Sequence, residues 1–421
     1  MKKRKRHTGW IVVLCMAAAI AVIAGFYSHF GGFGTGDCAD TEEFAKYAAS
    51  VSELTVPDEA QIVALGEATH GNKEFQKLRL DVFQVLVEKY GVRAFALEGD
   101  FGGCEAINRY IHGADGTAAE ALSATGFAIY RTEEMENLVE WMRNYNASAA
   151  QGDDLRFYGF DMEQRAYTYR YLLEAVHKAN IEAAEFEKMW NSEAGTYADG
   201  YTTEQRTEII SAVKEQLPPD DVQAIHFADI LLQNIELGKY IDDSSELNAQ
   251  RDRMMAENTL WILQQEQTRG NSRIMISGHN NHIMQCENAG TPVLGSLLAE
   301  NLGDGYFAIG TDFYKSVCNL PKPYTGKRIT HTFYSYDPLA KASKKCGFDV
   351  SFLDFSKVPE GSLLTKHLAN SISMGSLGES YSVLMNFVPR SYRVQRIPQD
   401  AYDAMIFVAN AIPIEIESLN K

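Results

Sequence analysis

Three short motifs that mark common catalytic centres are absent from this chain of 421 residues. No two cysteines have Cys-x-x-Cys spacing, which excludes a zinc ribbon and a dithiol redox motif. No His-Glu-x-x-His segment occurs, which disfavours the common zinc hydrolases. The chain also has no Gly-x-Ser-x-Gly segment, so nothing in it indicates a serine nucleophile on a strand–helix turn.

A glycine-rich nucleotide-binding loop is missing as well. The run from Gly31 to Asp37 lacks the third glycine of Gly-x-Gly-x-x-Gly, and no strand precedes it in a βαβ unit. We interpret residues 31–37 as a linker between an N-terminal segment and the body of the protein. No other stretch indicates a cofactor site, and we expect no cofactor.

Basic residues are outnumbered in this chain. It has 39 Lys and Arg against 56 Asp and Glu, and its formal net charge is -17. Because Met1–Arg6 holds five of the basic residues, the body alone is still more acidic. Such a body repels polyanions, so we expect neither nucleic acid nor an anionic membrane as a partner of the globular part.

The N-terminal segment differs from the rest of the chain. Residues 1–7 are basic, and Trp10–Phe26 is an apolar run without charge. This pattern indicates a signal peptide, and the run is close to the shortest length that spans a membrane. We predict that residues 1–30 are either a signal-anchor, with the body outside the membrane, or a cleaved signal, with the body secreted.

Cysteine offers few possibilities for cross-linking. Five of the six cysteines lie in the body, so at least one of these five stays unpaired within the chain. Export would permit disulfides. Cys318 with Cys346 is the pairing that we would test first.

Strands and helices alternate through the first part of the body. Gln61–Leu65 reads as a buried strand, Lys73–Tyr90 as an amphipathic helix ended by Gly91, and Ala94–Glu98 as a second strand. A capping-box pattern predicts that another helix begins at Thr132 and runs to Tyr145. Later segments with strand character are 155–161, 273–277, 306–310, 331–336, 348–353, 381–387 and 404–408. The order predicts an α/β fold with a mostly parallel central sheet and flanking helices. Residues 38–165 and 259–421 would form the α/β catalytic domain, and residues 166–258 a helical insertion.

Acidic and imidazole side chains follow several of these strands. Glu67 and His70 follow the first strand, Glu98 ends the second, and His279 and His282 follow the strand at 273–277. Because the carboxyl ends of parallel strands meet at one edge of a sheet, we expect these groups to converge there. Two chemistries fit such a set: a general base with a carboxylate that orients it, and a metal bound by His and Glu. Activated water is the simplest nucleophile.

Each candidate also has a structural interpretation. Glu67 would cap the following helix, His70 would hydrogen-bond within its turn, and Glu98 would form an ion pair with Arg79. The two later histidines would be core residues with satisfied hydrogen bonds. We interpret Asp161 and the pair Arg251-Asp252 as structural.

Taken together, these motifs resemble the erythromycin esterase family. The resemblance covers about residues 40–415 and rests on blocks in one order: Leu-Gly-Glu-x-x-His-Gly at 65–71, Phe75 with Arg79, Phe-Ala-Leu-Glu-Gly at 95–99, residues 132–146, Gly-Phe-Asp at 159–161, Arg-Asp-x-x-Met-x-x-Asn at 251–258 and Gly-His-Asn-x-His at 278–282.

The resemblance implies metal-independent hydrolysis of a small-molecule ester or lactone. The type members open a macrolide ring, an antibiotic-resistance activity. The family's proposed catalytic positions fall on six residues here: His70 as the base for water, Glu67 and Glu98 as groups that orient it, and Arg79, His279 and His282 as groups that stabilise the oxyanion or hold the substrate. Two alternatives stay open, namely a metal-dependent hydrolase on the same residues and a membrane-tethered binding protein without activity.

Overall fold

The computed structural model describes residues 2–29 and 36–417. Its strands are β1 (Ala48–Ala49), β2 (Ile62–Glu67), β3 (Ala94–Asp100), β4 (Arg156–Asp161), β5 (Trp190–Asn191), β6 (Thr196–Tyr197), β7 (Ile274–His279), β8 (Tyr306–Pro321), β9 (Arg328–Tyr334), β10 (Val350–Asp354), β11 (Ile372–Gly375), β12 (Arg393–Arg396) and β13 (Ala404–Ala411).

The helices lie between and around these strands. They are α1 (Lys2–His29), α2 (Thr41–Tyr47), α3 (Lys73–Tyr90), α4 (Phe101–Ile111), α5 (Ala118–Ser123), α6 (Glu133–Asn146), α7 (Ala166–Lys178), α8 (Ala184–Lys188), α9 (Thr203–Gln216), α10 (Val222–Leu237), α11 (Ser244–Thr268), α12 (Asn280–Ile283), α13 (Leu294–Leu302), α14 (Pro338–Lys345), α15 (Thr365–Leu368) and α16 (Pro398–Ala401).

A central sheet organises the body. In the part of the chain that the structure describes it has nine strands, in the order β1-β10-β13-β8-β2-β7-β3-β4, with β9 paired to β8. Neighbouring strands from β13 to β4 run parallel. Strands β1 and β10 pair antiparallel at one end of this order, and β9 pairs antiparallel with the later part of β8. The protein therefore has a mixed α/β fold with a central sheet and flanking helices.

Strand β2 shows why this sheet is buried on both faces. Every residue of β2 is buried. Ile62 and Ala64 pack into one apolar cluster, whereas Val63 and Leu65 pack into the cluster on the opposite face. Alternate side chains of a strand point to opposite faces, so helices on both sides require an uninterrupted apolar run rather than an alternating one.

Several local predictions are confirmed. Helix α3 has the predicted bounds, and Gly91 ends it in the left-handed conformation at φ 68°. Helix α6 follows Thr132, whose hydroxyl accepts a hydrogen bond from the backbone N–H of Met135 at 3.3 Å. These features depend on neighbouring residues, which is why their signals are visible in the sequence.

Two local predictions are wrong. The apolar segment 381–387 is not a strand but contains a 3₁₀ turn, Val383–Asn386. The segment between residues 166 and 258, which is predicted to be all helical, holds the short hairpin β5–β6. Two-residue strands carry too little periodicity to be recognised.

The suggested disulfide is also wrong. Cys318 and Cys346 are both free. The thiol of Cys318 lies 3.4 Å from the hydroxyl of Thr69, and the thiol of Cys346 donates to the backbone oxygen of Thr41 at 3.2 Å. The two cysteines therefore face different neighbours.

No helix among residues 2–29 and 36–417 is long and apolar enough to cross a membrane. The predicted transmembrane segment is thus not supported by the described residues. Residues 31–35 of the predicted linker lie outside them. The division into domains stays a prediction, and its boundary at residue 258 falls within α11.

Candidate active site

Three neighbouring strands deliver the predicted site residues to one edge of the sheet. Strand β7 lies between β2 and β3, and Glu67 of β2 stands in register with His279 of β7. Glu98 lies on β3, and His282 is on the short helix that follows β7. The structure thus brings these groups to the carboxyl ends of adjacent parallel strands, where α/β folds bind ligands.

The turn after β2 is pressed tightly against other elements. A Cβ atom on Gly71 would stand 2.4 Å from the backbone oxygen of Asn319 and 2.5 Å from the thiol of Cys318. A Cβ atom on Gly66 would stand 2.1 Å from the amide oxygen of Asn280. Only glycine fits such approaches, so both glycines allow the turn to sit against β8 and α12.

Asn72 fixes the end of this turn. Its side-chain N–H groups donate to the backbone oxygens of Val317 and Ile412, each at 2.9 Å. Its side-chain oxygen accepts hydrogen bonds from the hydroxyls of Thr69 at 2.6 Å and Ser316 at 2.7 Å. This buried amide uses its full hydrogen-bonding capacity, and it joins the turn to the interior of β8 and to the residue that follows β13.

Glu67 lies between a histidine and an arginine. One of its carboxylate oxygens is 2.6 Å from Nδ1 of His70, and the other is 2.8 Å from the guanidinium of Arg79. The Arg79 side chain is fully buried and donates through Nε to Ser277 at 3.1 Å. Since Nδ1 of His70 is occupied by Glu67, Nε2 is the ring nitrogen left for a ligand.

The two partners shift each other's pKa. Burial lowers the pKa of His70, but the carboxylate of Glu67, together with the more distant Glu98 and Glu379, outweighs burial and raises it overall. Burial raises the pKa of Glu67, but the charges of Arg79 and His70 outweigh burial and lower it overall. His70 is therefore a stronger base than a free histidine, with an anionic partner that stabilises its protonated form.

His279 has the opposite character. Its Nδ1 accepts a hydrogen bond from the backbone N–H of Asn281 at 3.3 Å. Burial and the neighbouring His70 and His282 lower the pKa of His279 to about 3, so its ring is neutral. The proton of a neutral ring whose Nδ1 accepts must lie on Nε2. This buried Nε2 has no hydrogen-bond partner among the described residues, and the ring centre lies 5.1 Å from that of His70.

Glu98 anchors the other side of the site. One carboxylate oxygen accepts from the backbone N–H of His279 at 2.6 Å, and the other accepts from Arg251 at 3.1 Å. Burial raises the pKa of Glu98, but His282 and Arg251 outweigh burial and lower it strongly. The structural interpretation that pairs Glu98 with Arg79 is wrong, because Arg79 pairs with Glu67.

His282 is held by two carboxylates. Its Nδ1 lies 2.7 Å from Asp252, and its Nε2 lies 3.5 Å from Glu98. Burial lowers the pKa of His282, but Glu98 and Asp252 outweigh burial and raise it. Asp252 also accepts from the backbone N–H of Leu294 at 3.0 Å, which fixes its orientation.

Three residues beside these groups, Asp161, Arg251 and Asp252, are interpreted from the sequence as structural. Arg251 forms an ion pair with Asp161 at 2.5 Å and contacts Glu98, and both Arg251 and Asp252 line the same cavity as His282. Their adjacent positions in the Arg-Asp-x-x-Met-x-x-Asn block are the sequence signal that could have placed them in the site.

A cavity of about 420 Å³ connects these groups. Among the residues predicted for the site, it is lined by His70, Glu98, His279 and His282, whereas Glu67 and Arg79 lie behind its wall. The other lining residues include an apolar group, Phe127, Ile129 and Tyr130, and a loop group, Ser376, Gly378 and Glu379. A larger cavity of about 780 Å³, lined in part by Thr55, Tyr306 and Asp403, contains none of the predicted site residues.

In the described ranges, no group of three or more His, Cys, Asp or Glu side chains is arranged to hold a metal ion. The site is organised instead as pairs. Each histidine has its own partner: Glu67 for His70, a backbone N–H for His279, and Asp252 for His282.

These features place the chain in the class of mixed α/β proteins with a cluster of histidine and carboxylate side chains at the carboxyl ends of parallel strands. The family model described as Erythromycin esterase matches residues 87–411. The chain belongs to the erythromycin esterase family. The matched range begins after the turn that carries Glu67 and His70.

Individual relatives agree with this assignment. The chain is 26% identical over 357 residues to erythromycin esterase type II of Escherichia coli, a match that covers 72% of this chain and 82% of the relative. The crystal structure of a succinoglycan biosynthesis protein has a TM-score of 0.74 at 20% identity and covers 90% of this chain and 98% of that one. A mutant of the erythromycin esterase EreC in its open conformation has a TM-score of 0.56 at 16% identity, covering 86% and 93%. The two solved structures show a shared fold.

Proposed function

We propose that this protein hydrolyses a carboxylic ester or lactone, with His70 as the general base that activates water. The proposal rests on one observation: Nε2 of His70 and Nε2 of His279 have opposite hydrogen-bonding roles in the same cavity. His70 presents Nε2 as an acceptor because Glu67 holds its Nδ1 at 2.6 Å, and His279 presents Nε2 as a buried donor without a partner. A proton acceptor beside a free donor is what the attack of water on a carbonyl requires.

In the first step, the oxygen of water bonds to the carbonyl carbon while its proton passes to Nε2 of His70. Glu67 stabilises the imidazolium that forms. The electron pair of the carbonyl double bond moves to its oxygen, and the resulting oxyanion accepts a hydrogen bond from Nε2–H of His279. Arg251 on the same cavity wall stabilises it further with its positive charge, as does His282 when it is protonated.

In the second step, the tetrahedral intermediate collapses. The carbonyl double bond re-forms, the bond to the leaving oxygen breaks, and His70 returns its proton to that oxygen. The products are a carboxylic acid and an alcohol, which remain one molecule when the substrate is a lactone. His70 is neutral again at the end of the cycle.

A macrolide lactone is the first substrate to test. The family and the relative from Escherichia coli both carry the name erythromycin esterase. The cavity, at about 420 Å³, falls within the usual range for small-molecule sites. A location of the body outside the membrane is likewise part of this proposal, and protease accessibility in intact cells tests it.

The deciding experiment uses the full chain. Purified protein is incubated with macrolides and simple esters, and mass spectrometry measures ring opening or acid release. Wild type should produce hydrolysed product, whereas His70→Ala should not. The matched control is His177→Ala, because the His177 side chain is 59% exposed and lies outside the cavity.

Three outcomes contradict parts of the proposal. Equal hydrolysis by His70→Ala removes the role assigned to His70. A rate that a chelator abolishes and an added metal restores identifies a metal-dependent hydrolase. Binding of the panel without any turnover identifies a binding protein.

A further inference from the structure

One exposed turn of the body is apolar. In the 3₁₀ turn Val383–Asn386 and the residue after it, Val383, Leu384 and Phe387 are 64%, 63% and 61% exposed. Tyr381, just before the turn, is buried and anchors it. Three large apolar side chains exposed within five residues are a marked departure from a surface whose apolar residues occur singly.

A second element lies beside this turn. The backbone N–H of Tyr381 donates to the backbone oxygen of Pro321 at 2.9 Å, which places the turn next to the tip of the β8–β9 hairpin. At that tip Tyr324 is fully exposed, and Lys322 and Lys327 are exposed on either side of it. We call Tyr324, Val383, Leu384 and Phe387, with the exposed Lys322, Lys327 and Arg390, the basic apolar face.

The charge of this region is opposite to that of the whole chain. Residues 314–336 contain four Lys or Arg, residues 380–396 contain three, and neither segment contains Asp or Glu. The formal net charge of the chain is nevertheless -17. Glu379 stands at the edge of this region and is paired with Arg328 at 2.7 Å, so it leaves the lysines at the hairpin tip unneutralised.

We propose that the basic apolar face docks on a membrane surface that contains anionic phospholipid. Exposed apolar side chains enter the boundary between headgroups and acyl chains, and each nearby Lys or Arg adds attraction to anionic headgroups. Tyrosine is favoured at the same depth, because its ring is apolar and its hydroxyl is polar. Docking through this face departs from the expectation, drawn from net charge alone, that the globular part avoids an anionic membrane. The acidic remainder of the body is repelled by the same surface, which favours an orientation with this face towards the membrane.

The position of the face gives docking a consequence for substrate access. The loop residues Ser376, Gly378 and Glu379 line the cavity, and the exposed turn follows them directly in the chain. Docking therefore brings the cavity beside the membrane and favours esters that partition into the interface. This consequence rests on the proposed hydrolase function, whereas docking itself does not.

Hydrogen exchange of the full chain tests docking at the face itself, so the N-terminal segment does not confuse the result. Exchange is measured by mass spectrometry without lipid, with phosphatidylcholine vesicles, and with vesicles that also contain phosphatidylglycerol. We expect amide exchange in segments 321–328 and 381–389 to slow about tenfold with the anionic vesicles only, and this protection to disappear in high salt.

Variants test whether the protection from exchange comes from the basic apolar face or from nonspecific adsorption to the vesicles. A triple variant, Val383→Ser with Leu384→Ser and Phe387→Ser, should lose the protection of both segments, as should Lys322→Glu with Lys327→Glu. Ile241→Ser is the matched control, since Ile241 is 73% exposed and belongs to another part of the body. It should keep the protection.

Two results overturn the proposal. In the first, the chain sediments with the anionic vesicles, but the amide exchange of both segments is unchanged. The other is protection that needs no lipid and grows with protein concentration, which identifies a second copy of the chain as the occupant. If a variant does not fold, as judged by circular dichroism, the wild-type measurement still decides. Hydrolysis enters none of these readouts, so docking and the proposed function fail separately.

Discussion

His70 and His279 line one cavity with ring centres 5.1 Å apart, yet their pKa values shift in opposite directions. The carboxylate of Glu67 raises the pKa of His70 against the effect of burial, whereas burial and two histidine neighbours lower the pKa of His279 to about 3. The partner at Nδ1 makes the difference: a carboxylate in one case and a backbone N–H in the other. In this cavity, the direction in which a histidine's pKa shifts therefore follows from its partner.

The strongest test of this contrast is the removal of each ring in turn. His70→Ala should lower kcat/KM by about 10³-fold, because a positioned general base contributes roughly 10²–10⁴. Free imidazole in the buffer should restore part of this loss, since the missing group is a proton acceptor. Rescue of a His279 variant by imidazole to the same extent would show that the two rings do not differ in role.

A second test concerns the ion pairs that Arg251 forms beside His282. Arg251→Gln leaves Glu98 and Asp161 buried without their shared cation, so the free energy of unfolding should fall by about 3–5 kcal/mol in urea titrations. Arg253→Gln is the control on the same helix, because Arg253 is 47% exposed and should change stability by less than about 0.5 kcal/mol. Equal stability of the two variants would contradict the network.

A third test addresses the donor. His279→Leu removes Nε2–H and should lower kcat about 10²-fold with little change in KM, as expected when a hydrogen bond forms only to the oxyanion. His279→Gln keeps an N–H donor and should recover part of kcat. A change confined to KM would place His279 in substrate binding instead.

The smallest expected effect is a shift in pH dependence. His70 must be neutral to accept a proton, so kcat/KM rises with pH through its pKa. Glu67→Gln removes the carboxylate that raises this pKa, and the acid limb should move to lower pH. The exposed Glu88 on α3 provides the control, Glu88→Gln, whose limb should stay in place. A limb that moves to higher pH would contradict the coupling of Glu67 to His70.

The sequence predicts those parts of the structure that depend on neighbouring residues. Helix α3 and its Gly91 end are correct to the residue, and so is the cap at Thr132. The sequence also predicts that Glu98 lies near His70, His279 and His282, because the carboxyl ends of parallel strands meet at one edge of the sheet.

Pairings between distant segments were not predictable. The carboxylate that pairs with Arg79 is determined by how α3 packs against β2 and β7. The position of Arg251 depends on α11, more than 150 residues after Glu98 in the chain. The apolar run 381–387 has the composition of a strand, yet it forms an exposed turn. Composition alone cannot distinguish an apolar segment that is buried from one that faces outward.

The four hydrogen bonds of Asn72 have a consequence for the order of events during synthesis. One of them reaches the backbone oxygen of Ile412, 340 positions later in the chain. The turn that carries His70 leaves the ribosome well before its last anchor, which follows β13. A nascent chain therefore carries His70 long before this turn is fully anchored, so the predicted site cannot be complete until β13 has been made and has folded against it.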